Sequence, residues 1–235
     1  MIAVAGLFVA LGGFVQSGIG LGLGLIGAPM VTLLDPALMP GSLLVAGASL
    51  PLLILAREAL HTDWHGVSWA LAGRVAGTLG GIWVLAAVSL RALGIVVGGM
   101  VLAVALLSIR AAAVPRNRAT LLTAGVISGV TGTATSIGGP PVALLYQDES
   151  GPRVRATLSF YFTVGNTVAL VALALTGHLP ERDILAGLVF VGCGAAGFAV
   201  ATGLRRFLDA GRTRVAVLAA AAGSALILIA HSILG

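Results

Sequence analysis

Two charge-free stretches of the sequence contain the hydroxyl, amide and glycine residues that are best suited to bind a small solute. The first runs from Gln16 to Pro29 and the second from Ser128 to Pro141. Glycine lets the backbone come close to a ligand, while hydroxyls and amides donate hydrogen bonds without carrying charge. Together with one amide further along the chain, the predicted substrate-binding residues are Gln16, Ser17, Gly20, Gly27, Thr131, Thr133, Thr135, Ser136, Gly138, Gly139 and Asn166.

The prolines at the end of each stretch indicate the chemistry that these residues support. Pro29 and the pair Pro140 and Pro141 disfavour a continuous helix, but they suit the first turn of a new one. A helix that begins near Gly27 or Gly139 has free N–H groups and a partial positive charge at its N-terminus. Two such N-termini facing each other predict a site for a small oxyanion. The alternative is that the glycines only let helices pack closely.

Neutral groups therefore carry the predicted recognition of the anion, with no arginine required at the centre of the site. Arg74 lies in an otherwise uncharged run. We expect its side chain to extend along its helix to the cytoplasmic membrane surface, the alternative being a counter-charge for the substrate. Asn166 either contacts the substrate or forms a hydrogen bond between helices.

The sequence indicates neither catalysis nor a metal or cofactor site. His61, Asp63 and His65 lie close together without a second cluster elsewhere, so we expect a solvated turn instead of a metal centre. The zincin, serine-hydrolase and Walker motifs are missing, and Cys193 is the only cysteine. We therefore do not expect an enzyme.

The composition is that of a membrane protein. The 235 residues are 58% hydrophobic and 9% charged, whereas soluble domains average about 25% charged residues. About 20 apolar residues suffice to cross a bilayer, and eight hydrophobic segments follow one another with short loops. They are Met1–Leu34, Pro36–Ala56, Gly66–Leu90, Ala92–Ile109, Ala119–Gln147, Ala156–Pro180, Ile184–Leu204 and Val215–Gly235. The sequence predicts an all-α polytopic protein of the cell membrane, in contact with the lipid bilayer.

The two glycine-rich stretches belong to an internal repeat. A shift of 112 residues places Gly20 on Gly132 and Pro29 on Pro141. Residues 1–114 and 115–235 then form two repeats of four segments each within a single transmembrane domain. Interrupted, duplicated hydrophobic segments of this kind are typical of the binding site of a secondary transporter.

The arginines favour one topology. The net charge is +5 and all 13 basic residues are arginine, almost all of them in loops, which indicates contact with anionic lipid and not with nucleic acid. If all eight segments cross the membrane, the loop arginines divide seven to five. If segments 1 and 5 are broken, re-entrant hairpins, they divide ten to two, as the positive-inside rule requires. The repeats are then inverted, and both termini are extracytoplasmic.

The two breaks, together with the small-residue-rich stretch Leu71–Gly81, resemble those of the sulfite exporter TauE/SafE family, also called the 4-toluene sulfonate uptake permeases. The resemblance covers the whole chain. It implies a permease for small sulfur-containing or organic anions such as sulfite or a sulfonate. It also implies coupling to the membrane potential or to an ion gradient, such as that of protons or sodium.

The two breaks differ in their polar side chains. The first has Ile19, Leu21 and Leu23 at the positions of the three threonines in the second, which suggests that the second break supplies most of the side-chain contacts. We therefore expect a secondary transporter that works by alternating access. A passive small-anion channel through the same pore is the alternative.

Overall fold

The computed structural model describes residues 1–110, 114–204 and 222–233, which form helices joined by short turns, with no β-strand among them. We number the α-helices in chain order. They are α1 (Ile2–Ile19), α2 (Ala28–Leu34), α3 (Gly41–Ser49), α4 (Leu52–Glu58), α5 (Trp64–Ala87), α6 (Leu90–Arg110), α7 (Arg118–Thr135), α8 (Gly139–Leu144), α9 (Gly151–Leu175), α10 (Glu181–Leu204) and α11 (Ala222–Ile233).

Four helical segments of the described chain are long and apolar enough to cross a bilayer, namely Gly41–His61, Trp64–Ala87, Gly151–Leu175 and Glu181–Gly203. The first of these joins α3 to α4 through a bend at Pro51, because proline cannot continue the helical hydrogen bonds. Each of the eight hydrophobic segments contains an α-helix among its described residues. The prediction of an all-α, multi-pass membrane protein is confirmed. Arg205, Arg206, Arg212, Arg214 and the C-terminal Gly235 lie outside the described residues.

Segment 1 folds back on itself. Helix α1 ends at Gly20, which has a left-handed backbone (φ 82°) and whose N–H bonds to the carbonyl of Gln16. A π-helical turn, Leu23–Gly27, then leads into α2. A Cβ on Gly22 would lie only 2.7 Å from the carbonyl oxygen of Gly12. Glycine at this position therefore allows the returning chain to touch α1.

Segment 5 reverses in the same way. Helix α7 ends at Ser136, the only non-glycine residue with positive φ (60°) in the described chain, and α8 begins at Gly139. A Cβ on Gly138 would lie 2.7 Å from the carbonyl oxygen of Ser128 on α7. The first arms, α1 and α7, have 18 residues each, longer than the roughly 12-residue half-helices expected from half the membrane thickness. The arms are longer because each helix continues through its earlier glycines and ends only at the residue with a left-handed backbone, which is Gly20 after α1 and Ser136 after α7.

Each hairpin begins and ends at one end of the helix bundle. Asp35, which follows α2, forms an ion pair with Arg182 at the start of α10, and Ile2 lines the same surface depression as Arg182. For the second hairpin, Arg116 before α7 forms an ion pair (2.6 Å) with Glu149, between α8 and α9. The chain therefore enters and leaves each hairpin on one side.

These two sides are the opposite ends of the bundle, because the bent helix α3–α4 connects them. Its first residue, Gly41, packs against Asp183 near the start of α10. At its other end, Glu58 forms an ion pair (2.7 Å) with Arg155 near the start of α9. The two hairpins consequently enter the bundle from opposite ends.

The first arm of each hairpin packs on a long helix from the other half of the chain. Helix α7 lies along α5, where a Cβ on Gly77 would be 3.0 Å from the Cα of Gly129. Helix α1 lies along α10, where a Cβ on Gly13 would be 2.9 Å from the Cα of Gly194. Small residues allow this close contact between backbones, as in other membrane helix pairs. These helices hold the two hairpins in place.

Candidate anion site

A cavity of about 40 Å³ lies where the turns of the two hairpins meet. About 10–15 Å³ of this kind of volume accommodates one water molecule, so the cavity has room for a small solute. Both breaks contribute to its wall, together with α3 and α9. The lining residues are Gln16, Leu21, Gly22, Leu23, Gly24, Leu25, Leu43, Gly47, Ser136, Ile137, Gly138, Gly139, Pro140, Phe162 and Asn166.

Two polar side chains of the breaks fix the shape of the cavity. The buried Gln16 accepts a hydrogen bond at Oε1 from the Leu23 N–H (3.3 Å), which ties α1 to the π-helical turn. The Ser136 hydroxyl donates to the carbonyl of Pro40 (2.9 Å), just before α3. Ser136 therefore links the tip of the second hairpin to the start of a membrane-spanning helix.

The second break offers few backbone donors at the start of α8. The first three residues of this helix are Gly139, Pro140 and Pro141. Because proline has no N–H, only Gly139 among them is able to donate. A Cβ on Gly139 would overlap the side chains of Leu21 and Phe162. The start of α8 thus provides one backbone N–H donor. The wall of the cavity at this point has no room for a side chain larger than that of glycine.

Arg74 lies in the interior of the protein, close to this cavity. The residue is 1% exposed and lies ten positions after the start of α5, about 15 Å along the helix. Its Nη1 donates to the Ser128 hydroxyl (3.1 Å) and its Nη2 donates to Oδ1 of Asn166. The prediction that Arg74 extends to the membrane surface is wrong, because these polar partners hold the guanidinium between α5, α7 and α9.

Ser128 and Asn166 connect Arg74 to the wall of the cavity. The Ser128 hydroxyl also donates to the carbonyl of Gly138, which lines the cavity. Asn166 lines the cavity itself, so its side chain both contacts a neighbouring helix and reaches the site. The guanidinium also lies over the ring of Tyr161, with Cζ 5.0 Å from the ring centroid. A permanent positive charge is therefore one residue away from the cavity.

The cavity brings together five of the predicted site residues, Gln16, Ser136, Gly138, Gly139 and Asn166. The other six lie outside its lining. Gly20 packs against Arg155, and Gly27 packs against Leu43.

The remaining hydroxyl groups of the predicted site bond within the protein. Thr133 bonds to Thr78 on α5 (3.4 Å), and Thr135 donates to the carbonyl of Thr131 (2.8 Å). Thr131 itself is directed at the carbonyl of Ser128 (3.5 Å). Ser17 donates to the carbonyl of Phe14 (2.9 Å).

The structure also shows residues near the cavity that sequence reasoning did not place there. Gly47 and Phe162 line it, and neither stands out in its apolar segment. The sequence does single out Arg74 as unusual, because it is the only charged residue in its hydrophobic segment. Its position along the helix did not reveal which face it occupies.

A separate charged cluster lies at the end of the bundle where α5, α7 and α9 begin. Burial alone would raise the pKa of Asp63. The Gly66 N–H and the Tyr146 hydroxyl donate hydrogen bonds to its carboxylate (3.1 Å each), and the charges of Arg153 and Arg116 are nearby. Together these groups hold the pKa of Asp63 below its usual value. Asp63 thus caps α5 and forms an ion pair with Arg153 at the start of α9.

The helices and the cavity between the hairpins define the class of the protein as a multi-pass membrane protein with a cavity lined by uncharged residues. Residues 5–228 match the family model described as sulfite exporter TauE/SafE. The chain belongs to this family, and the family resemblance of the sequence is confirmed. Membership implies a membrane transporter of the sulfite or sulfonate type. Neither the curated proteins nor the solved structures that were compared include a match to the chain.

Proposed function

We propose that the protein is a secondary transporter that moves a small sulfur-containing or organic anion, such as sulfite or a sulfonate, across the cell membrane by alternating access. The observation that carries this proposal is the cavity between the turns of the two hairpins. In secondary transporters, binding sites form where interrupted helices meet near the middle of the membrane. Backbone freed from a helix at this depth must be buried in protein or line a cavity, and here it does both.

The chemistry of the cavity supports an anion as the substrate. Its lining residues are all uncharged, and its polar groups include the amides of Gln16 and Asn166 and the backbone of Gly139. Arg74 supplies a positive charge immediately behind the wall. A cation would find no carboxylate in this lining, whereas an oxyanion would find hydrogen-bond donors.

The arrangement of the hairpins supports inverted repeats. The first hairpin starts and ends beside Arg182, and the second starts and ends beside Glu149, at the other end of the bundle. Two re-entrant hairpins from opposite sides would give each half of the chain, residues 1–114 and 115–235, three crossings. An odd number of crossings makes the two halves inverted relative to each other.

Transport by purified protein in liposomes tests this function. We expect saturable uptake of radiolabelled sulfite, faster when the liposomes are preloaded with unlabelled sulfite, because counterflow requires a carrier. A passive channel would show no such acceleration. Absence of uptake of sulfite, sulfonates and carboxylates alike would overturn the proposal. Proton and sodium gradients, imposed one at a time, would identify a coupling ion.

A matched pair of glycine variants links transport to the cavity. Gly139→Leu should abolish uptake, because even its Cβ would overlap Leu21 and Phe162, two residues that line the cavity. Gly192→Leu, on α10, should leave uptake intact, since a Cβ there meets nothing within 4 Å. Both proteins should reach the membrane in similar amounts. Full uptake by Gly139→Leu would place the substrate path elsewhere.

A further inference from the structure

Arg74 is a buried cation without a counter-ion in the described part of the chain. Four of the described arginines, Arg116, Arg153, Arg155 and Arg182, form ion pairs with carboxylates, and Arg57 and Arg118, which form none among the described residues, are exposed. Arg74 forms none among the described residues, although it is almost completely buried. A guanidinium stays protonated in proteins, and an unpaired charge removed from water is unfavourable. A negatively charged ligand would supply the counter-charge.

Arg74 also determines which way the Asn166 amide faces. A guanidinium has only N–H donors, so the group of Asn166 that faces it must be the oxygen, Oδ1. The amide nitrogen Nδ2 then faces the opposite way, towards Gly47, where a Cβ would lie 2.6 Å from it. Asn166 and Gly47 both line the cavity. Among the described residues, Nδ2 has no hydrogen-bond acceptor, so it presents its donors at the cavity.

Gly138 is a second point at which the guanidinium of Arg74 lies close to the cavity. A Cβ on Gly138 would lie 2.9 Å from Nη1 of Arg74, so only the glycine backbone separates the guanidinium from the cavity. On the other side of the arginine, a side chain on Gly165 would overlap the guanidinium. Nε of Arg74 is buried and has no partner in the described chain. Glycines on both sides therefore keep an incompletely bonded cation next to the cavity.

We propose that Arg74 and Asn166 form a subsite that selects singly charged oxyanions, such as hydrogensulfite or a sulfonate, over doubly charged ones. This inference rests on the proposed function. Asn166 donates hydrogen bonds from Nδ2 to the anion, while Arg74 orients the amide and neutralises one negative charge. A second negative charge in the same cavity would have no partner, because none of the lining residues is charged and Arg74 supplies a single positive charge from behind the wall. Arg74 is thus a positioning residue that also provides the charge of the site.

The experiment compares methanesulfonate, which carries one negative charge, with sulfate, which carries two. Each competes for sulfite uptake into liposomes that contain the purified protein. The wild-type protein should be inhibited by methanesulfonate at much lower concentration than by sulfate. Arg74→Gln should weaken inhibition by methanesulfonate by about 10- to 100-fold, the range for a hydrogen bond to a charged group, and should reduce the preference for single charge. Arg118→Gln, which removes an arginine that stacks on Trp69, should change neither.

Asn166→Asp provides the decisive variant, even if Arg74→Gln fails to fold. The new carboxylate would pair with Arg74, replace the Nδ2 donor with an acceptor and cancel the charge of the site. Thermal unfolding should show a protein at least as stable as the wild type, while inhibition by methanesulfonate is lost. A stable Asn166→Asp protein that still binds methanesulfonate normally would overturn the subsite.

Failure of the subsite and failure of the proposed function give different results. If the wild type transports sulfite but both variants keep its affinity and its preference for single charge, the subsite is wrong and the transporter remains. If the wild type does not transport sulfite and binds neither anion, the proposed function itself is wrong. Equal inhibition of the wild type by methanesulfonate and sulfate would also overturn the subsite.

Discussion

Ser136 is the polar residue of the second break whose side chain has the clearest structural role at the cavity. We predict that Ser136→Gly weakens the apparent affinity for sulfite by about 2- to 10-fold, the effect of one lost hydrogen bond, because the hairpin tip loses its bond to Pro40. Glycine adopts the positive φ of this position without steric cost, so the variant isolates the hydroxyl. Concentration dependence of uptake in liposomes gives the affinity.

Thr133→Val is the matched control, since it also removes one hydroxyl from the second break. Its hydroxyl bonds to Thr78 outside the cavity lining, so the affinity for sulfite should stay at the wild-type value. The reverse result, with Thr133→Val impaired and Ser136→Gly normal, would place the substrate beside α5 and not between the hairpins.

At the scale of single residues, sequence reasoning identified five of the residues that line the cavity. Gln16, Asn166 and the glycines of the breaks were predictable, because polar side chains at membrane depth are costly and glycine permits close approach of the backbone. The contribution of Arg74 was not, since a sequence gives the depth of a residue along a helix but not the direction of its side chain. The prolines of α8 indicate a helix start in the sequence, but they also remove N–H donors from its first turn.

Among the elements, the two hairpins contact each other at Gly24, where a Cβ would lie 2.6 Å from the carbonyl oxygen of Ser136. We predict that Gly24→Ala lowers the free energy of unfolding by about 1–3 kcal/mol, as overpacking does in tight interiors, and strongly reduces transport. The backbone oxygen cannot rotate away, so the hairpins must separate. Thermal unfolding of the protein in detergent and uptake in liposomes measure the two effects.

Gly18→Ala, six residues earlier in the same segment, serves as the control. A Cβ at Gly18 meets nothing within 4 Å, and alanine favours helix over glycine by roughly 0.5–1 kcal/mol. This variant should be as stable as the wild type or slightly more stable, with normal transport. A Gly24→Ala protein that behaves in the same way would show that the hairpins do not need their close contact.

The existence of both hairpins was predictable from the sequence, but the lengths of their arms were not. Glycine and proline indicate where a helix is weak, and each stretch contains several of them. The structure breaks α1 at Gly20 and α7 at Ser136, and leaves Gly18 and Gly132 helical. Which weak position breaks depends on contacts with distant residues, such as Arg155 beside Gly20 and Pro40 beside Ser136.

For the whole molecule, the ion pairs and the arginine distribution favour the same arrangement. One end of the bundle collects Glu58, Asp63, Arg116, Arg153 and Arg155. The opposite end has the Asp35–Arg182 pair. Positive residues concentrate on the cytoplasmic side of membrane proteins, so the first end should face the cytoplasm.

This orientation can be measured with single cysteines in a Cys193→Ser background. Val114, between α6 and α7, and His178, between α9 and α10, are both exposed and should lie on opposite sides of the membrane. We predict that a membrane-impermeant maleimide labels His178→Cys in intact cells, whereas Val114→Cys reacts only after the membrane is permeabilised. The Cys193→Ser protein without an added cysteine should remain unlabelled in both conditions. Labelling of Val114→Cys but not His178→Cys in intact cells would invert the orientation and place both termini in the cytoplasm. Labelling of both would place Val114 and His178 on the same side of the membrane, so segment 5 would cross the membrane together with segment 6 and would not be a re-entrant hairpin.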